Sequence, residues 1–237
     1  MTQLIAHRGA SFFAPENTMD AFYLAYHMGL KHMECDVVLT KDSIPIIIHD
    51  NTLDRTTSGT GVVSETYFRN IQSLSAGKWF AKSFEDSHVP TLQELLKWQK
   101  TQHITLNIEI KPIALPLLKK NLSIIMNCIH KYGDIDKIRL LSFQPEIFQQ
   151  LKIIENQLPC ALGVTHCHQQ TVTKALQIGC IQINMHHAFI SANHVNMIHQ
   201  ANLKIGAYTV NDYHELLRLK SLHIDEVFTD NPHIQNS

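Results

Sequence analysis

The sequence is poor in cysteine, and the few cysteines that it has are scattered. There are five among 237 residues, an odd number, and none forms a CxxC pair. A disulfide framework or a structural zinc site would require paired, regularly spaced cysteines. We therefore expect free thiols and a reducing compartment. The cysteines are Cys35, Cys128, Cys160, Cys167 and Cys180.

The sequence also lacks an excess of charge of either sign and any long apolar run. Lys and Arg total 20 and Asp and Glu total 21, which gives a net charge of −1, so we expect no nucleic-acid partner. Apolar runs such as residues 44–48 are far shorter than the roughly 18 residues that a membrane span requires, so we expect no integral membrane association. If Met1 is the native start, the absence of a basic and apolar leader predicts a cytoplasmic protein.

Short strand-like segments alternate with helix-like segments along most of the chain, in which 44% of residues are hydrophobic. This alternation predicts parallel strands joined by helical crossovers. Counting Ile44–His49 as a partner or an extension of the second strand leaves eight units, which favours an α/β fold of the TIM (β/α)8 barrel type, as one domain over residues 1–237. The candidate strands are Gln3–Arg8, His32–Leu39, Ile44–His49, Ile104–Lys111, Ile138–Phe143, Cys160–Gly163, Cys180–Asn184, Lys204–Val210 and Glu226–Thr229.

Local patterns predict where several helices begin and which face they bury. Thr91 to Glu94 has the pattern of a capping box. Asn17, Ser191 and Asn211 are the expected N-caps of three further helices. A stripe of apolar residues three and four apart predicts a helix with one buried face. That stripe consists of Leu118, Leu122, Ile125 and Ile129.

The stretch from about residue 51 to residue 89 interrupts this alternation. It contains a glycine- and threonine-rich turn region and short amphipathic pieces with Tyr67 and Trp79. It is much longer than an ordinary connection between a strand and a helix, which takes about 2–6 residues. We therefore predict a small inserted subdomain after the second strand unit, over one end of the barrel.

Polar residues end several of the apolar strands, which is where barrel enzymes place their sites. Because side chains alternate along a strand, Glu34 and Asp36 share one face, and Glu109 and Lys111 share another. If these faces point inward, three carboxylates and one lysine meet in the barrel mouth, where unpaired carboxylates would repel one another and raise their pKa values. A hard divalent cation, Mg²⁺ or Ca²⁺, would remove this repulsion. The polar strand ends are His7-Arg8-Gly9, Glu34-Cys35-Asp36, His49-Asp50 and Glu109-Ile110-Lys111.

Each of these features also has a purely structural explanation. Glu34 and Asp36, taken alone, are typical of an exposed pair on a strand. A histidine at a strand end is often structural, and Lys111 could simply pair with Glu109 and leave no metal. Four polar strand ends in an otherwise apolar series favour the functional interpretation.

The ordered set of motifs resembles the glycerophosphodiester phosphodiesterases, over essentially the whole chain. Each piece alone is weak, but the order of the pieces is highly specific. The short length and the lack of a signal sequence are similar to the bacterial cytoplasmic members. The motifs are His7-Arg8-Gly9-Ala10, Ala14-Pro15-Glu16-Asn17-Thr18, Glu34-Cys35-Asp36, His49-Asp50, Arg55-Thr56-Thr57-Ser58-Gly59-Thr60-Gly61, Glu109-Ile110-Lys111, Ser142-Phe143, Thr209-Val210-Asn211 and Thr229-Asp230-Asn231-Pro232.

The resemblance implies a TIM barrel that hydrolyses glycerophosphodiesters, such as glycerophosphocholine and glycerophosphoethanolamine, to sn-glycerol 3-phosphate and an alcohol. It implies Ca²⁺ or Mg²⁺ as cofactor and His7 and His49 as the general acid/base pair. The family usually has Trp where this sequence has Tyr208, which affects the wall around the glycerol or headgroup. By the same resemblance the metal ligands are Glu34, Asp36 and Glu109, and the phosphate contacts are Arg8 and Lys111. Further candidates for supporting or wall positions are Glu16, Asp50 and Tyr208, of which Glu16 either orients Arg8 or serves only the first turn of the helix that Asn17 is expected to cap.

Two other functions compete with this interpretation. A lysophospholipase D would act on lipids that retain one acyl chain, with aromatic residues of the insertion forming an apolar entrance. A non-catalytic barrel would bind phosphodiesters without turnover. The sequence leaves open the headgroup, the physiological metal and the assignment of acid and base. It also leaves open whether water or the glycerol 2-hydroxyl attacks, and the oligomeric state.

Overall fold

A computed structural model describes residues 2–154 and 157–234. Nine strands and eight α-helices alternate along this part of the chain. The strands are β1 Gln3–Ala6, β2 His32–Leu39, β3 Pro45–Ile47, β4 Thr105–Ile110, β5 Ile138–Ser142, β6 Cys160–Val164, β7 Gln182–His186, β8 Lys204–Tyr208 and β9 Glu226–Thr229. The helices are α1 Met19–His27, α2 Phe68–Ile71, α3 Leu92–Gln102, α4 Leu118–Tyr132, α5 Pro145–Ile153, α6 Gln169–Gln177, α7 Ala192–Gln200 and α8 Tyr213–Ser221.

Eight of the strands form a closed parallel barrel, as predicted. The hydrogen-bonded order is β1-β9-β8-β7-β6-β5-β4-β2, and pairing of Ala6 with Met33 closes the barrel between β1 and β2. Helices lie between successive strands, which is the arrangement of a TIM barrel. Within the described residues, no helix is both long enough and apolar enough to cross a membrane.

Of the nine described strands, β3 is the one outside the closed barrel, and it pairs antiparallel with β2. It therefore runs back along β2 and does not extend it. The backbone N–H of Ile48 donates to the carbonyl of Asp36 at 3.1 Å. Because β3 runs back along β2, His49 lies beside Asp36. The position of His49 therefore depends on the antiparallel pairing of β2 and β3.

The helices bury the faces that their periodicity predicts. The apolar stripe of α4 is buried against the barrel, where it joins a core that surrounds the sheet. Thr91 and Ser191 are N-caps, as predicted. Asn17 and Asn211 are not, because Thr18 and Asp212 take those positions.

Residues 51–89 contain α2 and two short 3₁₀ segments, Val63–Glu65 and Lys82–Phe84. Their buried apolar side chains form a small cluster separate from the main core, together with two residues of the β3 region. The assignment of this stretch as an inserted subdomain stays a prediction. The buried members of the cluster are Ile46, Ile48, Leu53, Val63, Ile71, Ala76 and Val89.

Candidate active site

A cavity of about 510 Å³ opens at the carboxyl ends of the barrel strands. It brings together the four polar strand ends predicted from the sequence. A larger cavity of about 890 Å³ lies at the opposite end of the barrel, but the acidic cluster does not line it. The residues lining the mouth cavity are His7, Arg8, Glu34, His49, Glu109, Lys111, Pro112, Leu141, Phe143, Asn184, His186, Tyr208, Thr209 and Phe228.

Three carboxylates form the centre of the site. Glu34 and Asp36 lie on β2, and Glu109 lies on β4 directly opposite Asp36 in the strand pairing. All three are buried, and one oxygen of each lies within 4.8 Å of the others. The alternation along β2 places Cys35 in the main core, on the face away from the carboxylates. These are the oxygen donors that a hard divalent cation prefers.

Two cationic side chains hold this cluster. The Nζ of Lys111 lies 2.5 Å from Glu109 Oε1 and 3.3 Å from Asp36 Oδ1. The Nε of Arg8 lies 3.1 Å from Asp36 Oδ2, and the backbone N–H of Arg8 donates to Glu34 Oε2 at 3.0 Å. Lys111 therefore pairs with Asp36 as well as with Glu109. The other oxygen of Glu34, Oε1, is buried without a hydrogen-bond partner among the described residues.

The turn that carries Arg8 depends on the glycine that follows it. Arg8 and Gly9 both have positive φ, at 58° and 83°. A Cβ on Gly9 would lie 2.6 Å from the backbone of Ala21 in α1, so no larger residue fits there without a shift of backbone. The close approach of this turn to α1 aims the Arg8 backbone and side chain at the acidic cluster.

The pKa values of the three carboxyls move in different directions. Burial, with repulsion from Asp36 and Glu109, raises the pKa of Glu34 well above its usual value. Burial and Asp36 likewise raise the pKa of Glu109, although Lys111 opposes this. Burial alone would raise the pKa of Asp36, but the positive charges of Arg8 and Lys111 outweigh it and lower that pKa. The rise expected for unpaired carboxylates therefore does not apply to Asp36, which is paired with Arg8 and Lys111.

Both predicted histidines line the cavity, and a carboxylate holds each one. The Nδ1 of His7 lies 2.7 Å from Asp230 Oδ1, and the Nδ1 of His49 lies 2.6 Å from Asp50 Oδ1. An ionised carboxylate only accepts hydrogen bonds, so each Nδ1 carries the proton and Nε2 is the free nitrogen of each ring. Burial lowers the pKa of His49, and the positive charge of Arg8 adds to this, although Asp36 and Asp50 oppose it.

The remaining predicted positions lie beside these groups. Glu16 accepts a hydrogen bond from Arg8 Nη1 at 2.9 Å, so it orients Arg8. Tyr208 lies in the cavity wall, where its hydroxyl donates to the carbonyl of Val164 at 3.0 Å. Its ring meets that of Phe143 edge to face, with centroids 5.5 Å apart. These rings give one side of the cavity an apolar surface.

Sequence reasoning missed three residues that support the site. Asp230 holds His7, and Asn17 donates from Nδ2 to Asp36 Oδ2 at 2.8 Å. Arg55 contacts both Glu16 and Asp50. All three belong to motifs that carried the family resemblance, and membership in those motifs was the available signal. No local pattern assigned any of them its partner.

Replacing Asp230 with Asn is expected to lower stability in a pH-dependent way. Burial alone would raise the Asp230 pKa, but hydrogen bonds from His7, Asn211 and Ser11 lower it to about 2. A lowered folded-state pKa stabilises the protein above the ordinary value near 3.8, and this stabilisation is lost as the pH falls toward 2. The shift corresponds to about 2 kcal/mol.

Urea unfolding of wild-type and Asp230→Asn protein at several pH values between 6 and 2 measures this effect. The difference between their free energies of unfolding should narrow by about 2 kcal/mol over that range. A difference that stays constant with pH would show that the Asp230 carboxylate is not held ionised by these contacts.

Comparison with known proteins places the chain in a family. The Glycerophosphoryl diester phosphodiesterase family profile matches residues 7–234. A glycerophosphodiester phosphodiesterase of Caldanaerobacter subterraneus is 30% identical over 98% of this chain and 95% of its own length. A phosphodiesterase of Oleispira antarctica, solved in complex with the product sn-glycerol-3-phosphate, superposes with a TM-score of 0.94 at 30% identity, covering 100% of this chain and 96% of its own.

A glycerophosphodiester phosphodiesterase from Agrobacterium tumefaciens superposes with a TM-score of 0.85 at 27% identity, over 99% of this chain and 98% of its own. The family match and the similarity in fold both cover nearly the whole chain, including every motif singled out above. The chain therefore belongs to the glycerophosphoryl diester phosphodiesterase family and is an enzyme of that phosphoric diester hydrolase class.

Proposed function

We propose that the protein hydrolyses small glycerophosphodiesters, such as glycerophosphocholine and glycerophosphoethanolamine, to sn-glycerol 3-phosphate and an alcohol. In this proposal the reaction depends on a divalent cation, Ca²⁺ or Mg²⁺, and on His7 and His49. One observation carries it: two carboxylate-backed histidines line the same cavity as Glu34 and Glu109, which belong to a buried cluster of three carboxylates.

The acidic cluster fits a divalent cation. Glu34, Asp36 and Glu109 offer only oxygen donors, and Glu34 Oε1 is buried with no protein partner among the described residues. When all three are ionised, Arg8 and Lys111 leave one negative charge uncompensated. A bound cation would supply charge stabilisation at the phosphoryl oxygens and lower the pKa of a coordinated hydroxyl.

Arg8 and Lys111 are suited to bind the phosphate of the substrate. Arg8 presents a planar guanidinium that can pair with two phosphate oxygens, and Lys111 presents a compact positive charge. Both line the cavity beside the carboxylates. The phosphate would therefore lie next to the acidic cluster, between it and the apolar wall of Phe143 and Tyr208.

The two histidines would transfer the protons. One imidazole Nε2 accepts a proton from the attacking oxygen as the new P–O bond forms. The other, protonated, donates to the alkoxide as the old P–O bond breaks. Asp230 and Asp50 fix the same tautomer in His7 and His49, so the free Nε2 of each ring is available for this exchange.

The five cysteines support a reducing, cytoplasmic location. All five are free thiols. Burial raises the pKa of all five thiols above the usual value, as it does for Cys160 to about 12. Such thiols are poorly reactive, and an odd, scattered set of cysteines without a disulfide framework suits a reducing environment.

The decisive experiment measures release of sn-glycerol 3-phosphate from glycerophosphocholine and glycerophosphoethanolamine, with and without added Mg²⁺ or Ca²⁺. Release that depends on the cation supports the proposal. Faster turnover of lysophosphatidylcholine would favour a lysophospholipase D. Tight substrate binding without turnover in any divalent metal would favour a non-catalytic barrel.

A further inference from the structure

Arg55 lies in the segment that follows β3 and bridges two carboxylates with one guanidinium. It donates from Nη1 and Nη2 to the two oxygens of Glu16 at 2.8 and 2.9 Å. It also donates from Nε and Nη2 to the two oxygens of Asp50 at 2.7 and 3.0 Å. All three nitrogens of the guanidinium therefore donate to carboxylates, and both carboxylates are engaged at both of their oxygens.

Each of these carboxylates holds a site residue on its other side. Glu16 Oε1 accepts from Nη1 of Arg8 at 2.9 Å, and Asp50 Oδ1 accepts from Nδ1 of His49 at 2.6 Å. Arg55 therefore stands at the junction of two chains of hydrogen bonds. One chain ends at the guanidinium expected to bind phosphate, and the other ends at an imidazole expected to transfer a proton.

In the first chain, Arg55 compensates part of the negative charge of Glu16 that would otherwise act on Arg8. Glu16 is shared between two guanidiniums, those of Arg8 and Arg55. Without Arg55, the full negative charge of Glu16 would be compensated by Arg8 alone. Arg8 would then have less positive potential to offer to a phosphate, and its side chain would be drawn toward Glu16.

In the second chain, Arg55 fixes the carboxylate that orients His49. Asp50 is partly exposed, and hydrogen bonds from Arg55 to both of its oxygens hold its carboxylate in one orientation. Hydrogen bonds from Arg55, more than any other contact, hold the pKa of Asp50 well below its usual range. Asp50 therefore stays an ionised acceptor for His49 Nδ1, and the free Nε2 keeps one direction.

We propose that Arg55 is a positioning residue for the phosphodiester reaction, which orients His49 through Asp50 and Arg8 through Glu16 at the same time. This inference rests on the proposed function, because it assigns Arg55 an effect on the groups that carry out that reaction. It also gives the segment that follows β3 a part in catalysis through a residue that does not line the mouth cavity.

An ordinary surface ion pair is the competing explanation. Such pairs contribute little, typically about 0–1 kcal/mol, and the Arg55 side chain is 44% exposed. That explanation predicts at most a small change in stability and no change in kinetics when Arg55 is removed. The four-bond geometry, with planar forks on two carboxylates, predicts a kinetic effect instead.

The test compares Arg55→Gln with wild-type protein in the hydrolysis of glycerophosphocholine. We expect kcat/KM to fall by about 10- to 100-fold, the range found when a partner that orients a functional group is removed. The control is Arg69→Gln, an exposed arginine of the same segment that lies over the ring of Tyr67, at 5.5 Å, and near Asp42, and that does not line the mouth cavity. It should keep wild-type kcat/KM.

A variant that lacks both carboxylates shows whether Arg55 acts through them or in some other way. In a Glu16→Gln/Asp50→Asn protein, adding Arg55→Gln should change kcat/KM by less than about twofold, because both routes are already broken. Two results would overturn the inference and leave the proposed function intact. One is a loss of kcat/KM on adding Arg55→Gln to the double variant that is as large as the loss in wild-type protein. The other is a kcat/KM of the Arg55→Gln single variant within about threefold of wild type. A wild-type protein that hydrolyses no glycerophosphodiester would overturn both.

Discussion

Replacing His49 with Gln is expected to lower kcat for glycerophosphodiester hydrolysis by about 10³-fold. General acid–base catalysis by a positioned side chain contributes about 10²- to 10⁴-fold, and glutamine cannot exchange a proton at neutral pH. The side chain would still fill the space beside Asp50, so substrate binding and KM should change much less. Steady-state kinetics with glycerophosphocholine measures both constants.

The matched control is His199→Gln. His199 is also paired with a carboxylate, since its Nε2 lies 2.9 Å from Asp225 Oδ2, and its exposure of 37% is close to the 33% of His49. It lies at the opposite end of the barrel, where it lines the other cavity. Its loss should leave kcat unchanged. A His49→Gln enzyme that retains kcat within about threefold of wild type would exclude His49 from proton transfer.

Removal of divalent cations is expected to reduce activity by at least about 10³-fold, with full recovery when Mg²⁺ or Ca²⁺ is added back. The effect should be this large because charge stabilisation of a phosphoryl group by a metal accounts for several kcal/mol of the barrier. Activity after exhaustive chelation, followed by titration of each cation, measures the effect and identifies the preferred metal.

Thermal unfolding provides a control that does not depend on turnover. A cation that binds the folded state raises the melting temperature of the wild-type protein. It should not raise that of Glu34→Gln or Asp36→Asn protein, in which the oxygen-donor set is incomplete. Full activity in chelated protein, or an equal rise in melting temperature in these variants, would contradict metal binding by the acidic cluster.

The barrel and the composition of the mouth followed from local patterns in the sequence. Alternation along β2 sufficed to place Glu34 and Asp36 on one face, because a strand has a fixed period of two. The order of polar strand ends sufficed to predict their convergence, because parallel strands in a barrel end at the same edge. The roles of these residues remain predictions until the experiments above are done.

Partners that lie far apart in the chain could not be predicted in this way. Asn17 resembles an N-cap, but its φ is +59° and its side chain turns inward to Asp36. Asn211 likewise contacts Asp230 and leaves the cap to Asp212. A capping pattern describes only the next few residues, so a competing long-range hydrogen bond is invisible to it.

The position of His49 and the ionisation of Asp36 show the same limit. The sequence allowed the segment 44–49 to extend the second strand or to pair with it, and only the antiparallel pairing returns His49 to the level of Asp36. The pKa of Asp36 falls because Arg8 and Lys111 both reach it, and that depends on side-chain geometry. The sequence placed Lys111 with the carboxylates, but it did not show that Lys111 and Arg8 both contact Asp36.

The charge balance of the mouth has a consequence for how a reaction cycle ends. With a divalent cation bound, the three carboxylates of the acidic cluster, Arg8 and Lys111 would together carry one net positive charge. A diester substrate carries a single negative charge, whereas a phosphate monoester carries about −1.5 to −2 at neutral pH. Hydrolysis thus converts a ligand with one negative charge into one with nearly two, which the cation, Arg8 and Lys111 would hold more tightly, so accumulated monoester is expected to inhibit the enzyme.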